Sequence, residues 1–197
     1  MTPHSSVNTE AKKKKGYPRR PNNPDPLILF NNSIPWKNEV KYLGVTLDTR
    51  LRFPSHINII CNKFKIKLFS LQPILRRKSK LTLKNKIIIY KLYLQPILSY
   101  ACTIWGNTLK SNKNELQLHQ NRAIRLITGA PTFIPRKILH DETDIESITQ
   151  IIQKSAINFY RSLEHHENPT INSLSSSTTY TGTRNPPATS QIINPLF

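Results

Sequence analysis

The chain has 197 residues, 37% of them apolar, and 29 Lys and Arg against 11 Asp and Glu, for a formal charge of +18 at pH 7. That length suits one domain with tails, and such a field favours a polyanionic partner, either nucleic acid or an acidic membrane surface. No apolar stretch approaches the ~20 residues of a membrane span, and no apolar core of a secretory signal is visible near the N-terminus. The two cysteines, Cys61 and Cys102, lie in apolar runs as small core residues. Neither has a Cys or His nearby at metal-ligand spacing, so no zinc site and no metal centre are expected. These features predict an intracellular, reduced protein that does not span a membrane.

Residues 1–26 carry Lys12 to Lys15, Arg19 and Arg20 among prolines, with no apolar periodicity. They read as a disordered basic arm. The arm is either a nuclear-localisation or phosphate-binding segment, placing the protein in the nucleus, or the ragged start of a longer chain. Leu27 to Phe30 is a short apolar run, Asn31 to Ser33 a turn, and Ile34-Pro35-Trp36 follows. Val40 to Asp48 reads as a short strand, interrupted at Gly44 by a bulge or a close backbone approach. Together, residues 27–54 predict a small antiparallel β ribbon.

A helical domain is expected over 55–167. The first helix runs from a Ser55 N-cap to Leu71, with Ile57, Ile60, Cys61, Phe64, Leu68 and Leu71 on one face. The second runs from Leu83 to Leu98 behind a Thr82 cap. It is apolar on most sides and so central in the fold, and Pro96 kinks or ends it. The third runs from Lys113 to Thr128, opened by an Asn112/Glu115 capping box and stopped by Gly129 and Pro131. The fourth runs from Ile145 to Glu164 behind a Thr143/Glu146 box, burying Ile148, Ile152, Ala156, Phe159 and Leu163. Residues 168–197, rich in Ser, Thr, Asn and Pro, read as a disordered tail. The fold class is therefore mainly α: a small N-terminal β ribbon and a bundle of about four helices, with disordered ends.

The basic residues are unevenly placed. From Thr49 to Asn114 there is no acid, while Arg50, Arg52, Lys63, Lys65, Lys67, Arg76, Arg77, Lys78, Lys80, Lys84, Lys86, Lys91, Lys110 and Lys113 fall in that window. A surface charged only for solubility mixes the signs. Lys63 and Lys67 are one turn apart on a helix. Arg76, Arg77, Lys78 and Lys80 occupy the next loop, and Lys84 and Lys91 continue along the following helix. Such an array can follow a phosphate backbone without reading sequence.

Lys41-Tyr42-Leu43-Gly44-Val45 ending in Leu47-Asp48, with Pro54-Ser55-His56-Ile57 downstream, is followed by Leu94-Gln95-Pro96-Ile97-Leu98-Ser99-Tyr100 and Trp105-Gly106. Next come Leu116-Gln117, Gln120-Asn121-Arg122-Ala123-Ile124-Arg125 and Ile127-Thr128-Gly129-Ala130-Pro131. Asp144-Ile145, Tyr160-Arg161-Ser162-Leu163 and His166-Glu167-Asn168-Pro169 close the series. This order and spacing, over about residues 27–174, resembles the C-terminal region of reverse transcriptases from jockey-like non-LTR retrotransposons. Ala101 stands where the family usually has glycine after the tyrosine, a departure confined to a local turn.

The resemblance implies the strand after the polymerase palm, then a thumb and connecting helices that hold template–primer. Lys41, Tyr42, Leu43 and Gly44 would lie near the primer end. Lys63, Lys67, Arg76, Arg77, Lys78, Lys84, Lys91, Arg122 and Arg125 would line an RNA–DNA or DNA duplex. The family's palm supplies carboxylates for two Mg²⁺ ions, partly in an Asp-Asp turn, and no Asp-Asp pair occurs here. The chain is thus expected to be a polymerase fragment, inactive alone and without a cofactor of its own, with the missing palm as a partner. Two rivals are a self-standing non-catalytic nucleic-acid-binding module and a basic helical protein-interaction domain.

Other candidates carry little chemistry. Asp141, Glu142, Asp144 and Glu146 could hold Mg²⁺, but their expected place is a helix start, where the helix dipole favours acids. His56 lacks an identifiable partner for acid–base work and reads as structural or surface. Trp36 and Trp105 read as core anchors before base-stacking platforms.

Overall fold

A computed structural model describes residues 25–164 and 166–172. The basic arm before Asp25 and the stretch beyond Asn172 lie outside the described residues. The chain divides after Lys37 into two units. In the first, strands β1 (Ile28–Leu29) and β2 (Asn32–Ser33) pair antiparallel. Their two-residue turn is Phe30-Asn31, with φ of 49° and 59°. Asn32 and Ser33 therefore belong to a strand, where the sequence suggested a turn.

The second unit opens with β3 (Glu39–Tyr42) and β4 (Val45–Asp48), paired from Tyr42↔Val45 to Glu39↔Asp48. The segment expected as one bulged strand is a hairpin. Leu43 and Gly44 form its tip with φ of 44° and 81°, the positive pair that a two-residue turn needs to match strand twist. Gly44 also admits a neighbour: a Cβ there would stand 3.3 Å from Tyr100 Cε1.

Helix α1 (Pro54–Leu75) starts one residue before the expected cap. Pro54 is preorganised for a first helical position. Phe53 precedes it in the left-handed region, and Ser55 gives its hydroxyl to Glu39 instead of capping. The entry is held by Asp48, whose carboxylate accepts from the amides of Phe53 (2.7 Å), Arg52 and Arg50. Burial works against this charge, but the three amides outweigh it and hold the carboxyl below its usual range. α1 continues through Pro73, four residues past the expected end at Leu71. A proline so close to the C-terminus removes one hydrogen bond without ending the helix.

The second helix is one rod in three parts: α2 (Leu83–Ile89), a π-helical turn (Tyr90–Leu94) and α3 (Gln95–Ser99). Thr82 caps it as expected, accepting from the Asn85 amide. Pro96 does not end it. The Gln95 amide reaches back five residues to Tyr90 O, and this wider turn accommodates a residue that has no amide hydrogen and would clash in a regular helix. Tyr90, Leu94 and Leu98 are fully buried, whereas Leu92, Tyr93 and Ile88 face outward. The rod is thus central on one side only.

Short α4 (Cys102–Trp105) follows Tyr100, with Ala101 at φ 51° before it. Helix α5 (Lys110–Thr128) starts three residues before the expected Lys113. Its expected capping box does not form, because Asn112 donates to Arg52 O and Thr108 Oγ1. Gly129 ends it at φ 68°, as read from the sequence. Helix α6 (Arg136–Thr143) was not foreseen. It places Asp141 and Glu142 at a helix C-terminal end, with Asp144 as the left-handed cap, so the dipole argument for those acids is wrong. Helix α7 (Ile148–Glu164) begins later than expected. Thr143 donates to Leu139 O, and the working box is Ser147/Gln150, with the Ser147 amide donating to Gln150 Oε1 at 2.8 Å and the Gln150 amide to Ser147 Oγ. A short α8 (Pro169–Asn172) stands inside the stretch expected as disordered tail.

Within the second unit, one core joins β4 and helices α1 to α7. Trp105, Tyr90, Phe64, Leu75, Leu94, Leu98, Leu116 and Ile124 are wholly enclosed, and both cysteines are buried. Ile148, Ile152, Ala156 and Leu163 turn inward from α7, but Phe159 is exposed. Trp105 is a core anchor, its Nε1 donating to Tyr100 O at 2.6 Å. Trp36 is half exposed and is not one. Among the described residues no helix is long and apolar enough to cross a membrane.

Candidate nucleic-acid interface

The hairpin tip, α1 and α3 enclose a hollow of about 540 Å³. Lys41, Leu43 and Gly44 reach it from the hairpin, Lys63 from α1, and Pro96 and Tyr100 from the end of the rod. Tyr100 fastens the tip, donating its hydroxyl to Leu43 O at 2.9 Å. Tyr42 is exposed but does not line the hollow. The fold thus gathers three of the four hairpin candidates with one of the α1 lysines, and adds Tyr100, which had been noticed only as part of a motif.

His56 also borders the hollow and is only 2% exposed. Its Nδ1 accepts from the Thr46 amide at 3.3 Å, and its ring meets Trp105 edge-on. Burial pushes its pKa below the ordinary 6.5, and through Nδ1 the ring ties α1 to β4. Its Nε2 is buried without a hydrogen-bond partner.

At the far end of α1 lie Arg76, Arg77 and Lys78, all exposed, with Lys84 exposed on α2. Their loop is tied from below. Buried Lys86 donates its ammonium to Arg76 O at 2.9 Å, and the Arg77 stem lies against Gly129, where a Cβ would come within 2.7 Å of its Cδ. Lys67 is half-buried on α1 and Arg122 exposed on α5. Two candidates have internal partners. Lys91 meets Asp144 at 3.2 Å. Arg125 donates to Pro131 O at 2.6 Å and Ile134 O at 2.8 Å, holding the loop between α5 and α6.

A second polar cluster had no reading from the sequence. Gln120 Nε2 donates to Tyr90 Oη (3.1 Å) and Glu146 O (2.8 Å). Gln117 Nε2 donates to Gln120 Oε1 and Asn121 Oδ1, and its Oε1 accepts from the Ile148 amide. His140 Nδ1 lies 2.7 Å from Ile145 O. These side chains join α5 to the α6–α7 corner. Asn121 Nδ2 is buried without a partner, so the cluster specifies its packing through the bonds that Gln117, Gln120 and His140 make. Leu116-Gln117 and Gln120-Asn121, which carried part of the family resemblance, are thus packing elements.

The chain is 35% identical over 154 residues to the probable RNA-directed DNA polymerase from transposon X-element of Drosophila melanogaster, covering 78% of this chain and 17% of that protein. It is 34% identical over 141 residues to the corresponding protein from transposon BS of Drosophila melanogaster, covering 72% and 16%. It is 30% identical over 144 residues to the RNA-directed DNA polymerase from mobile element jockey of Drosophila funebris, covering 73% and 16%. The chain is homologous to a segment of the jockey-type retrotransposon polymerases. It spans about one sixth of the length of these relatives. No family model matches it, and no solved structure does. Within this homologous stretch the apolar motif residues, among them Val45, Ile57, Leu98, Trp105, Leu116 and Ile124, lie in the core, and Tyr100 ties the Leu43-Gly44 turn to the end of the rod.

Proposed function

We propose that this chain is the part of a retrotransposon reverse transcriptase that grips template–primer, lying beyond the palm as a thumb and connection. The observation that carries this reading is the acid-free basic window, whose Lys63 shares a hollow with Lys41 and Gly44. Lys63 and Arg76 are separated by about 20 Å along α1, at ~1.5 Å per residue. That is roughly six base-pair steps of a duplex at ~3.4 Å each. Lys41, Leu43, Gly44 and Tyr100 take the primer end. Lys63, Lys67, Arg76, Arg77, Lys78 and Lys84 follow the phosphates, with Arg122 on the adjoining helix. Lys91 and Arg125 contribute less, because each already holds an internal partner. The catalytic carboxylates and their Mg²⁺ belong to the palm in this reading, and the nucleus is where the element's DNA would be met.

A protein contact is favoured by a separate observation. Ile66 and Phe69, outside the hollow, are exposed along α1, Phe69 at 76%. Large apolar side chains in a row suit a protein neighbour, and in this reading that neighbour is the rest of the polymerase.

Equilibrium binding to an RNA–DNA hybrid and to duplex DNA of equal length tests the proposal. Binding to both is expected at low salt, with little dependence on sequence. Failure to bind either at low salt would overturn it.

A further inference from the structure

We infer that Cys61, Glu115 and His119 form a three-ligand site for a thiophilic divalent cation, zinc by its chemistry, at the crossing of α1 and α5. The thiol, the carboxylate and the imidazole bring their donor atoms within 4.8 Å of one another. Glu115 and His119 are one turn apart on α5 and so share a face. Cys61 is the residue that α1 offers to that face. A tetrahedral zinc with bonds of ~2.0–2.3 Å separates its ligands by roughly 3.6 Å, so rotamer adjustment of about an ångström closes the set.

The donor types select the metal. A thiolate and an imidazole are poor ligands for Mg²⁺ or Ca²⁺, which take oxygen, but suit zinc. Charge selects it as well. A thiolate and a carboxylate together cancel the two positive charges of the ion. A neutral complex can sit at this largely buried crossing beside Lys65 and Arg122, the cations whose fields reach these ligands. Three protein ligands leave a fourth position for water. Binding converts the Cys61 thiol to a thiolate–metal bond and releases its proton to solvent. The His119 ring lies against Phe64, with centroids 6.3 Å apart, which limits its freedom before the metal arrives. The bound ion would clamp the two longest helices together and fix Lys63 and Lys67 on α1 relative to Arg122 on α5.

The test uses the full chain, stripped of metal and held reduced, titrated with Co²⁺ as a spectroscopic stand-in for zinc. One equivalent should give a thiolate-to-cobalt charge-transfer band and the visible bands of a tetrahedral ion. Zn²⁺ should abolish both by displacement. Cys102→Ser should titrate like the parent. Cys61→Ser should lose the charge-transfer band. Glu115→Gln and His119→Ala should weaken binding by roughly tenfold or more, since even outer hydrogen-bond partners of ligands act on that scale. Glu115 is the least buried of the three, so Glu115→Gln keeps the test open if Cys61→Ser fails to fold. No tetrahedral cobalt spectrum in the parent, or one that persists unchanged in Glu115→Gln and Cys61→Ser, overturns the proposal. The readout is independent of nucleic-acid binding.

Discussion

At the scale of single residues, several turns hold non-glycine residues in the left-handed region. Ala101 stands in the left-handed region at φ 51°, where an L-residue costs roughly 1–2 kcal/mol and glycine almost nothing. Ala101→Gly should therefore stabilise the protein by about 0.5–1 kcal/mol after the added flexibility of the unfolded chain is subtracted, as a rise in the chemical denaturation midpoint. Gly44→Ala should do the reverse, by about 1 kcal/mol or more, because φ is 81° and Tyr100 already stands in contact. Buried His56 sets a pH limit. Burial lowers its pKa from 6.5. A depressed folded value means that the unfolded chain binds the proton first. The stabilising contribution is complete above pH 6.5 and is lost as pH falls through the folded value. Melting temperature should drop as pH falls below 6.5, and His56→Gln should remove part of that dependence. A profile unchanged in His56→Gln would show that this ring is not the buried neutral group.

At the scale of elements, caps and prolines decided how much could be read in advance. Ser147→Ala should cost about 1 kcal/mol by removing the hydroxyl that accepts from the Gln150 amide and donates to Gln150 Oε1, whereas Thr143→Ala removes only a hydroxyl bonded back along α6. Both Ser147-x-x-Gln150 and Thr143-x-x-Glu146 satisfy the capping pattern, and the sequence offers no local means of choosing between them. The choice is made by α6, an eight-residue and largely polar run too short to announce itself, whose last turn consumes Thr143. The hairpin was misread for a related reason. Its tip is Leu-Gly, not the Asn-Gly or Asp-Gly that signals such a turn, so two four-residue strands looked like one. The apolar faces of α1 and α7 were legible because burial repeats at helical spacing over many residues. The π-turn before Pro96 was not, since it depends on which carbonyl the Gln95 amide reaches.

At the scale of the molecule, charge distribution was the most legible property, because an acid-free window needs no geometry to be seen. What the sequence could not supply was assembly: that the tip of a hairpin, one lysine of α1 and Tyr100 enclose a single hollow, or that Cys61 meets residues of α5 from a distant part of the chain. Contacts between remote segments leave no periodic trace. The internal partners of Lys91 and Arg125 are of the same kind, and they separate bracing cations from those left to face a ligand. The central claim is that the α1 face and its following loop hold a nucleic-acid backbone. It is tested most directly by the salt dependence of binding to an RNA–DNA hybrid, compared between the parent and a variant with Lys63, Lys67, Arg76 and Arg77 all replaced by Gln. If about six phosphates are neutralised, log K should fall with log salt at a slope near −5. The fourfold variant should flatten that slope by about 3.6 units. An unchanged slope in a variant that remains folded would place the nucleic acid on another surface and contradict the account.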